Sequence, residues 1–358
     1  MAKIRLILSL LIFAFATFDG CIATRKYVGM YELKKGNFSV KLTNWGATVV
    51  SVILPDSKGN LADVVLGFDK LAPYVNDTTY FGAIVGRVAN RIGGAQFSYD
   101  GIQYKLVPNE GNNMLHGGHR GFSKVIWTVK RHSHGEFPFI TFTYHSFDGE
   151  QGFPGDVDVS VTYKIVGHYK LAVSMKAKPR NKPTPINLAQ HTYWNLAGHN
   201  SGNILSNTIQ LFGSHITPVD DSLIPTGKIV PVKGTPYDFM KPNTIGSRID
   251  KLPHGYDINY VLDLPLSRHH LRKAAVLKDN KTGRKLELWT NQPGLQFYTS
   301  NMLDGVLGKN GYVYQIHAAV ALETQGFPDA VNHPNFPSQI VKPGKVYSHH
   351  MLYKFSFE

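Results

Sequence analysis

One short segment of this sequence concentrates residue types that could transfer protons and bind a polyhydroxyl ligand. It reads AQHTYWNL, and strand alternation would place His191, Tyr193 and Asn195 on one face. Such a face combines a titratable imidazole, hydrogen-bonding groups and an aromatic surface, which suits a sugar. A buried histidine held by structural hydrogen bonds is the alternative.

Two carboxyl groups lie in apolar or aromatic surroundings. Glu323 follows the apolar run at residues 318–322, which predicts a buried strand end beside a Pro-rich loop. Burial would raise the pKa of Glu323 and make it a competent base near neutral pH. Asp257 lies within GYDINY, where an ionised carboxylate needs hydrogen-bond partners.

Three further segments supply candidate ligand-binding groups. GRVANRIGG places Asn90 and Arg91 beside a Gly-rich turn, where the Arg91 guanidinium could bind two hydroxyls or a carboxylate. A surface salt bridge of Arg91 is the alternative. In LHGG, the glycines would let the backbone approach a ligand next to His116, although an isolated turn histidine is commonly structural. Gln292, in NQPG, can both donate and accept hydrogen bonds.

The segments that must position these residues are predicted to be short β-strands. No long stretch shows a 3.6-residue apolar period, whereas alternation with a period of two is frequent. Asp100-Gly101 is a strong hairpin turn signal within residues 97–107. The sequence therefore predicts one large all-β domain, a sandwich or barrel. Its other predicted strands include residues 139–144, 157–166, 169–177, 275–288, 295–299 and 346–355.

The composition excludes several classes of protein. The chain of 358 residues is 42% hydrophobic and 12% aromatic, which excludes a disordered chain. The single cysteine, Cys21, excludes an intramolecular disulfide, a Cys-based zinc site and a CxxC redox motif. Walker A, GxGxxG, HExxH and GxSxG motifs are absent, and the pairs His269-His270 and His349-His350 lack metal-site spacing. No cofactor and no metal are predicted.

The charge balance is basic. Lys and Arg number 38 and Asp and Glu 25, which gives a formal charge of +13. These cations are scattered, whereas nucleic-acid binding needs a basic stripe with stacking aromatics, so we predict no nucleic-acid partner. An anionic polysaccharide or a protein partner remains open.

Residues 1–23 are predicted to be a signal peptide. Lys3 and Arg5 precede an apolar run at residues 6–18, which is short for a bilayer span of about 20 residues. Small residues favour cleavage after Ala23, leaving a mature domain of residues 24–358 without a cysteine and without a membrane span. An uncleaved membrane anchor is the alternative.

Three Asn-x-Ser/Thr sequons accompany this signal, at Asn37, Asn76 and Asn280. In a secreted eukaryotic chain they are candidate glycosylation sites. The predicted location is therefore the secretory pathway, ending outside the cell, in the cell wall or in the endoplasmic reticulum.

The ordered set of motifs resembles the aldose 1-epimerase (galactose mutarotase) family over nearly all of residues 27–358. Combined with the N-terminal signal, it is most similar to secretory-pathway members found in plants. The matching segments, in family order, are residues 44–48 (NWGAT), 63–69, 86–94, 115–118, 121–124 with Trp127, 149–155, 191–198, 217–227, 257–260, 292–299 and 323–337.

The resemblance implies a large antiparallel β-sandwich with an open cleft. It implies an enzyme that interconverts the α and β anomers of free aldoses such as galactose and glucose, without a cofactor or metal. The expected partner is a small-molecule aldose, bound by a monomer or a homodimer.

The resemblance also implies a role for each candidate residue. Glu323 matches the base that takes the proton of the C1 hydroxyl, and His191 matches the acid that protonates the ring oxygen. His116 matches a second histidine near that oxygen. The implied sugar contacts are Asn90, Arg91, Asp257 and Gln292.

Two other functions remain open from the residues alone. A carbohydrate-binding or protein-binding module of the secretory pathway could reuse the fold, because a fold does not determine a function. A glycosidase could use Glu323 with Asp257, if the two carboxyl groups lay roughly 5–10 Å apart across one bond. The histidines fit proton shuttling better.

Overall fold

The computed structural model describes residues 27–263 and 270–358, and β-strands predominate in both ranges. The predicted signal peptide, its cleavage site, Cys21 and His269 lie outside the described residues. No helix among the described residues is long and apolar enough to cross a membrane.

The strands and helical turns are short and numerous. The strands, in chain order, are β1 (Met30–Lys35), β2 (Phe38–Thr43), β3 (Thr48–Pro55), β4 (Leu61–Asp63), β5 (Ile84–Val85), β6 (Arg91–Ile92), β7 (Gln96–Tyr99), β8 (Ile102–Lys105), β9 (Met114–Leu115), β10 (Thr128–Ser133), β11 (Phe139–Ser146), β12 (Val157–Ile165), β13 (Lys170–Pro179), β14 (Thr184–Pro185), β15 (Ala189–Gln190), β16 (Tyr193–Trp194), β17 (Thr208–Leu211), β18 (His215–Thr217), β19 (Val230–Pro231), β20 (Asn243–Thr244), β21 (Asp257–Val261), β22 (Arg272–Lys278), β23 (Arg284–Thr290), β24 (Gly294–Tyr298), β25 (Val306–Leu307), β26 (Val313–Tyr314), β27 (Val320–Gln325), β28 (Ile340–Val341) and β29 (Tyr347–Phe357). The helix α1 spans Leu71–Val75, and 3₁₀ turns span Gly93–Ala95, Phe122–Lys124, Glu150–Gly152, Ile245–Ser247, Ile249–Lys251, Lys309–Gly311 and Ala330–Asn332.

A nine-stranded antiparallel sheet forms one layer, in the order β10-β11-β12-β13-β29-β23-β22-β17-β20. Several of its strands alternate between buried and partly exposed residues, as in β12, where Val159, Val161 and Tyr163 are buried. This period of two is the signal read in the sequence, so the strands predicted at residues 157–166, 169–177 and 346–355 are confirmed.

Two smaller sheets cover the apolar face of this large sheet. They are a four-stranded sheet, β1-β2-β3-β4, and a six-stranded sheet, β16-β27-β24-β21-β18-β19. Phe38 of β2 contacts Phe355 of β29, with ring centroids 5.7 Å apart. Trp194 of β16 contacts Tyr353 of β29 at 5.1 Å. The predicted all-β antiparallel sandwich is confirmed.

The six-stranded sheet separates a core side from a polar side. Ile258, Phe297 and Leu322 are cross-strand neighbours on β21, β24 and β27, and all three belong to the main hydrophobic core. Successive strand residues point to opposite faces of a sheet, so the residues beside these three face away from the core. The polar side of the sheet thereby becomes the floor of a cavity.

Candidate active site

A cavity of about 320 Å³ opens on the polar side of the six-stranded sheet. Its volume is at the small end of the range for small-molecule sites. The residues lining it are Thr78, Thr79, Tyr80, Asn90, Arg91, Glu110, Leu115, His116, His191, Tyr193, Asp257, Gln296, Tyr298, Met302, Leu303 and Glu323.

Three neighbouring strands supply the acidic and amide groups of the floor. Asp257 begins β21, Gln296 lies on β24, and Glu323 lies inside β27 rather than at its end. Gln296 is the cross-strand partner of Glu323. Its Nε2 donates a hydrogen bond to Asp257 Oδ1 at 2.6 Å, and its Oε1 accepts one from Gln325 Nε2 at 3.3 Å. The floor is therefore an ordered hydrogen-bonded row.

His191 enters the cavity from the connection between β15 and β16. Its backbone N–H donates to the Ala83 carbonyl at 2.9 Å, and its carbonyl accepts from the Gly82 N–H at 2.9 Å. Tyr193 also lines the cavity, as strand alternation predicts. Asn195 does not, because its amide donates to the Gly202 and Ala318 carbonyls instead. Of the three residues predicted to share one face, two therefore line the cavity.

The short pair β6–β9 brings Asn90, Arg91 and His116 together. Arg91 pairs with Leu115 in this ladder. The His116 N–H donates to the Asn90 carbonyl at 3.0 Å, and the Asn90 N–H donates to His116 Nδ1 at 3.1 Å. Since Nδ1 accepts this bond, the hydrogen of the neutral imidazole lies on Nε2.

The glycines of the LHGG motif serve the backbone rather than a ligand. Gly117 has φ +87°, and a Cβ built on it would lie 2.0 Å from the Gly86 carbonyl oxygen. Only glycine lets these two segments approach so closely. The motif therefore fixes His116 against the loop that precedes Asn90, which differs from the predicted approach to a ligand.

Arg91 is buried and pairs with a carboxylate that the sequence did not single out. Its Nε and Nη2 donate to Glu110 Oε2 and Oε1, at 2.6 Å and 2.7 Å. Both residues line the cavity. A salt bridge of Arg91 thus exists, as the alternative interpretation held, but it lines the cavity and its Arg91 side chain is buried rather than at the surface.

Burial dominates the electrostatics of Glu323. The residue is 2% exposed, and its Oε2 has no hydrogen-bond partner. Desolvation, with a further contribution from Asp257, raises the pKa of Glu323 well above its ordinary value, and Arg91 opposes the rise. Burial also raises the pKa of Asp257. The predicted effect of burial on Glu323 is confirmed in direction.

Both cavity histidines are neutral at pH 7. Burial lowers the pKa of His191 to about 4. Burial, followed by the charges of His191 and Arg91, lowers the pKa of His116 well below 6.5. The two rings meet edge to face with centroids 5.1 Å apart, and Tyr80 packs on His116 at 4.7 Å. His191 Nε2 lies 3.5 Å from Glu323 Oε1.

Gln292 does not reach the cavity. It lies between the end of β23 at Thr290 and the start of β24 at Gly294. Its Nε2 donates to Asn291 Oδ1 at 3.1 Å and to the Ser348 carbonyl at 3.3 Å. Gln292 is thus the one predicted site residue that does not line this cavity, whereas Gln296, four residues later, lines it and contacts Asp257. The other six predicted site residues all line the cavity.

Among the cavity residues that no sequence motif singled out, three were hidden for different reasons. Gln296 lies in a segment with several polar side chains, and only the register with β27 selects it. Glu110 lies in an ordinary turn sequence, NEGNN, with no catalytic pattern. Tyr80 has φ +61°, a conformation that a sequence pattern does not reveal for tyrosine.

One set of side chains has the composition of a metal site. His116, His191 and Glu323 present donor atoms within 4.8 Å of one another. However, the Asn90 N–H occupies His116 Nδ1, so Nε2 carries a hydrogen and cannot ligate without breaking this bond. The hydrogen-bond pattern therefore suits a donor to a ligand oxygen better than a metal ligand.

Comparison with known proteins assigns this fold and site to a family. The sequence profile of the aldose 1-epimerase family matches residues 29–354. The chain is 43% identical over 331 residues to the galactose mutarotase of Sus scrofa, covering 92% of this chain and 94% of that protein. It is 32% identical over 326 residues to the aldose 1-epimerase of Escherichia coli (strain K12), covering 89% and 92%.

A solved structure agrees with the sequence comparison. The GalM/aldose epimerase homologue from C. elegans has a TM-score of 0.86 at 30% identity, covering 92% of this chain and 99% of that one. The chain belongs to the aldose 1-epimerase family. The resemblance stated from the motifs is confirmed.

Proposed function

We propose that this chain is an aldose 1-epimerase, an isomerase that interconverts the α and β anomers of free aldohexoses such as galactose and glucose. The observation that carries the proposal is the buried pair Glu323 and His191, with Oε1 and Nε2 3.5 Å apart in a cavity sized for one small molecule. The relatives named galactose mutarotase and aldose 1-epimerase support it.

Ring opening needs two proton transfers in opposite directions. The Glu323 carboxylate takes the proton of the C1 hydroxyl, while protonated His191 delivers a proton to the ring oxygen and the bond from C1 to that oxygen breaks. After rotation about C1–C2, the same groups act in reverse and the ring closes on the other face. Each cycle returns both protons, so the chemistry consumes no co-reactant.

The remaining cavity residues fit sugar binding. Arg91 and Asn90 can donate to sugar hydroxyls, and Asp257 can accept from them. Gln296 orients Asp257 through the 2.6 Å hydrogen bond. The Nε2–H of His116 can donate to the ring oxygen or a neighbouring hydroxyl.

Polarimetry on freshly dissolved α-galactose and α-glucose tests the proposal. The wild-type protein should accelerate equilibration, and Glu323→Gln should lower the rate by roughly two to four orders of magnitude because it removes the base. Glutamine keeps the shape and removes a buried carboxyl, so the thermal unfolding midpoint should not fall. Folded wild-type protein that equilibrates neither sugar faster than buffer would refute the proposed epimerase activity. Sugar binding retained without catalysis would then indicate a binding module.

We also propose that residues 1–23 direct the chain into the secretory pathway. In support, Asn37, Asn76 and Asn280, the sequon asparagines, are all exposed. Expression in a eukaryotic secretory host should yield a chain that begins at Thr24 and shifts in mass after treatment with an N-glycosidase. A product that retains Met1 and stays in the cytosol would contradict this proposal.

A further inference from the structure

Glu110 lies at the edge of the cavity and has no role in the proton transfers described above. Its side chain is 34% exposed, whereas that of its partner Arg91 is 7% exposed. Glu110 is therefore accessible from solvent, while the cation it contacts faces the buried floor of the site.

The contact between Glu110 and Arg91 is geometrically restrictive. Two N–H groups of Arg91, on Nε and Nη2, reach the two carboxylate oxygens at 2.6 Å and 2.7 Å. Two parallel bonds fix the plane of a guanidinium, which a single bond does not. Nη1 forms no hydrogen bond to the described residues, so its hydrogens remain available to a sugar hydroxyl.

Few groups around the cavity carry a charge at neutral pH. The pKa values of His116 and His191 are lowered, and those of Tyr80, Tyr193 and Tyr298 are raised, in each case chiefly by burial. These five side chains are therefore neutral. Lys124 lies outside them, 5.7 Å from the centroid of the Tyr80 ring.

The other titratable groups that line the cavity are one cation, Arg91, and three acids, Glu110, Asp257 and Glu323. Arg91 lowers the pKa of both Asp257 and Glu323, whereas Glu110 raises the pKa of Asp257. Glu110 thus opposes the effect of Arg91 on Asp257, whose charge in turn acts on Glu323. Without it, an uncompensated guanidinium would weaken the base that mutarotation requires.

We propose, on the basis of the proposed epimerase function, that Glu110 is a positioning residue. Its carboxylate holds the Arg91 guanidinium in one orientation for the sugar and offsets its positive charge beside Asp257 and Glu323. Arg91 can then bind a hydroxyl without acting as a full counter-ion to the catalytic base.

Glu110 can be replaced without removing its turn. The turn is closed by backbone bonds, from the Glu110 N–H to the Asn113 carbonyl at 3.1 Å and from the Asn113 N–H to the Glu110 carbonyl at 2.9 Å. Neither bond uses the side chain. Glu110→Gln and Glu110→Asp should therefore fold like the wild type.

The two variants separate charge from geometry. Glu110→Gln removes a negative charge, so both limbs of the pH profile of kcat/KM should move to lower pH, by about half a unit, and KM should rise several-fold. Glu110→Asp keeps the charge on a shorter side chain, so the limbs should stay in place while KM rises. The control Glu358→Gln breaks the exposed contacts with Lys278 and Lys285 and should change neither.

A second measurement does not depend on turnover. Carbon-13 NMR of protein labelled at glutamate carboxyls, with the Glu323 signal assigned through Glu323→Gln, should show Glu323 titrating at lower pH in Glu110→Gln. A wild-type titration midpoint and a wild-type KM in folded Glu110→Gln would overturn the proposal. If wild-type protein has no epimerase activity, the proposed function fails, and the NMR titration still decides the electrostatic role of Glu110.

Discussion

When Glu323 and His191 together hold a single proton, that proton resides mainly on Glu323. Burial raises the pKa of the first and lowers the pKa of the second, so protonated Glu323 with neutral His191 is favoured over the ion pair. That neutral pair is the state reached after ring opening. Ring opening starts from the ion pair, in which Glu323 is ionised and His191 is protonated. A sugar hydroxyl that donates to the unpartnered Oε2 of Glu323 would stabilise this ion pair.

The pH dependence of kcat/KM should follow the single shared proton. Below about pH 4, where the pKa of His191 lies, both groups are protonated and no base remains. Above the raised pKa of Glu323, neither group carries a proton and no acid remains. We expect a bell-shaped profile between these limits, measured by polarimetry across a buffer series. A lower limb near 6.5, the ordinary histidine value, would contradict a neutral His191 in the free enzyme.

Replacement by glutamine should have different effects at the two histidines. The Asn90 N–H places the hydrogen of His116 on Nε2, a position that a glutamine amide can approximate as a donor. His116→Gln should therefore retain more activity than His116→Ala. His191→Gln should lose roughly two to four orders of magnitude in kcat, because an amide cannot exchange the proton. Equal losses in His116→Gln and His191→Gln, with both proteins folded, would show that His116 also transfers a proton.

At the scale of the elements, the register of β24 determines which glutamine serves the site. Gln296 pairs with Glu323 across β24 and β27, whereas Gln292 precedes β24 and bonds to Ser348. The two residues lie four positions apart in the sequence, and their side chains reach different parts of the molecule.

Replacing each glutamine by alanine should change a different quantity, KM in one case and stability in the other. Gln296→Ala removes the 2.6 Å bond to Asp257, so we expect KM for galactose to rise about tenfold, since a hydrogen bond to a charged group contributes about 1.5 kcal/mol. Gln292→Ala should leave KM unchanged and lower the unfolding free energy by about 1 kcal/mol. Initial-rate polarimetry and urea unfolding measure the two effects. A raised KM in Gln292→Ala alone would restore the assignment read from the sequence.

At the scale of the whole molecule, a buried arginine connects the three large sheets. Arg284 of β23 is 2% exposed. It donates to the Pro55 carbonyl at the end of β3, the Asn60 carbonyl and the Leu196 carbonyl just after β16, at 3.0, 2.8 and 3.0 Å.

Replacement of Arg284 should therefore destabilise the protein without altering the site. Arg284→Leu removes the guanidinium donor to the buried Pro55 and Leu196 carbonyls, and we expect a loss of about 3–5 kcal/mol in unfolding free energy. Lys285→Ala, at the partly exposed neighbour that pairs with Glu358, should cost less than about 1 kcal/mol. Thermal and urea unfolding compare the two variants. A stable Arg284→Leu would show that the carbonyls find other partners.

Local patterns were sufficient for several of the longer strands and for the position of most predicted site residues in one cavity. The Asp100-Gly101 turn predicted the β7–β8 hairpin, and alternation predicted β12, β13 and β29, because turn geometry and strand period depend on neighbouring residues. The apolar run before Glu323 likewise predicted its burial and the direction of its pKa shift. Seven site residues followed from motifs, and six of them meet in one cavity.

Contacts between distant segments settled the rest. Glu323 lies 3.5 Å from His191 although 132 positions separate them, and Glu110 reaches Arg91 across 19 positions. Strand register places Gln296, rather than Gln292, in the cavity. A backbone hydrogen bond sets the tautomer of His116, and desolvation keeps both histidines neutral. Motif order along a chain carries none of these quantities, because they arise only when the sheets pack and exclude water from the groups between them.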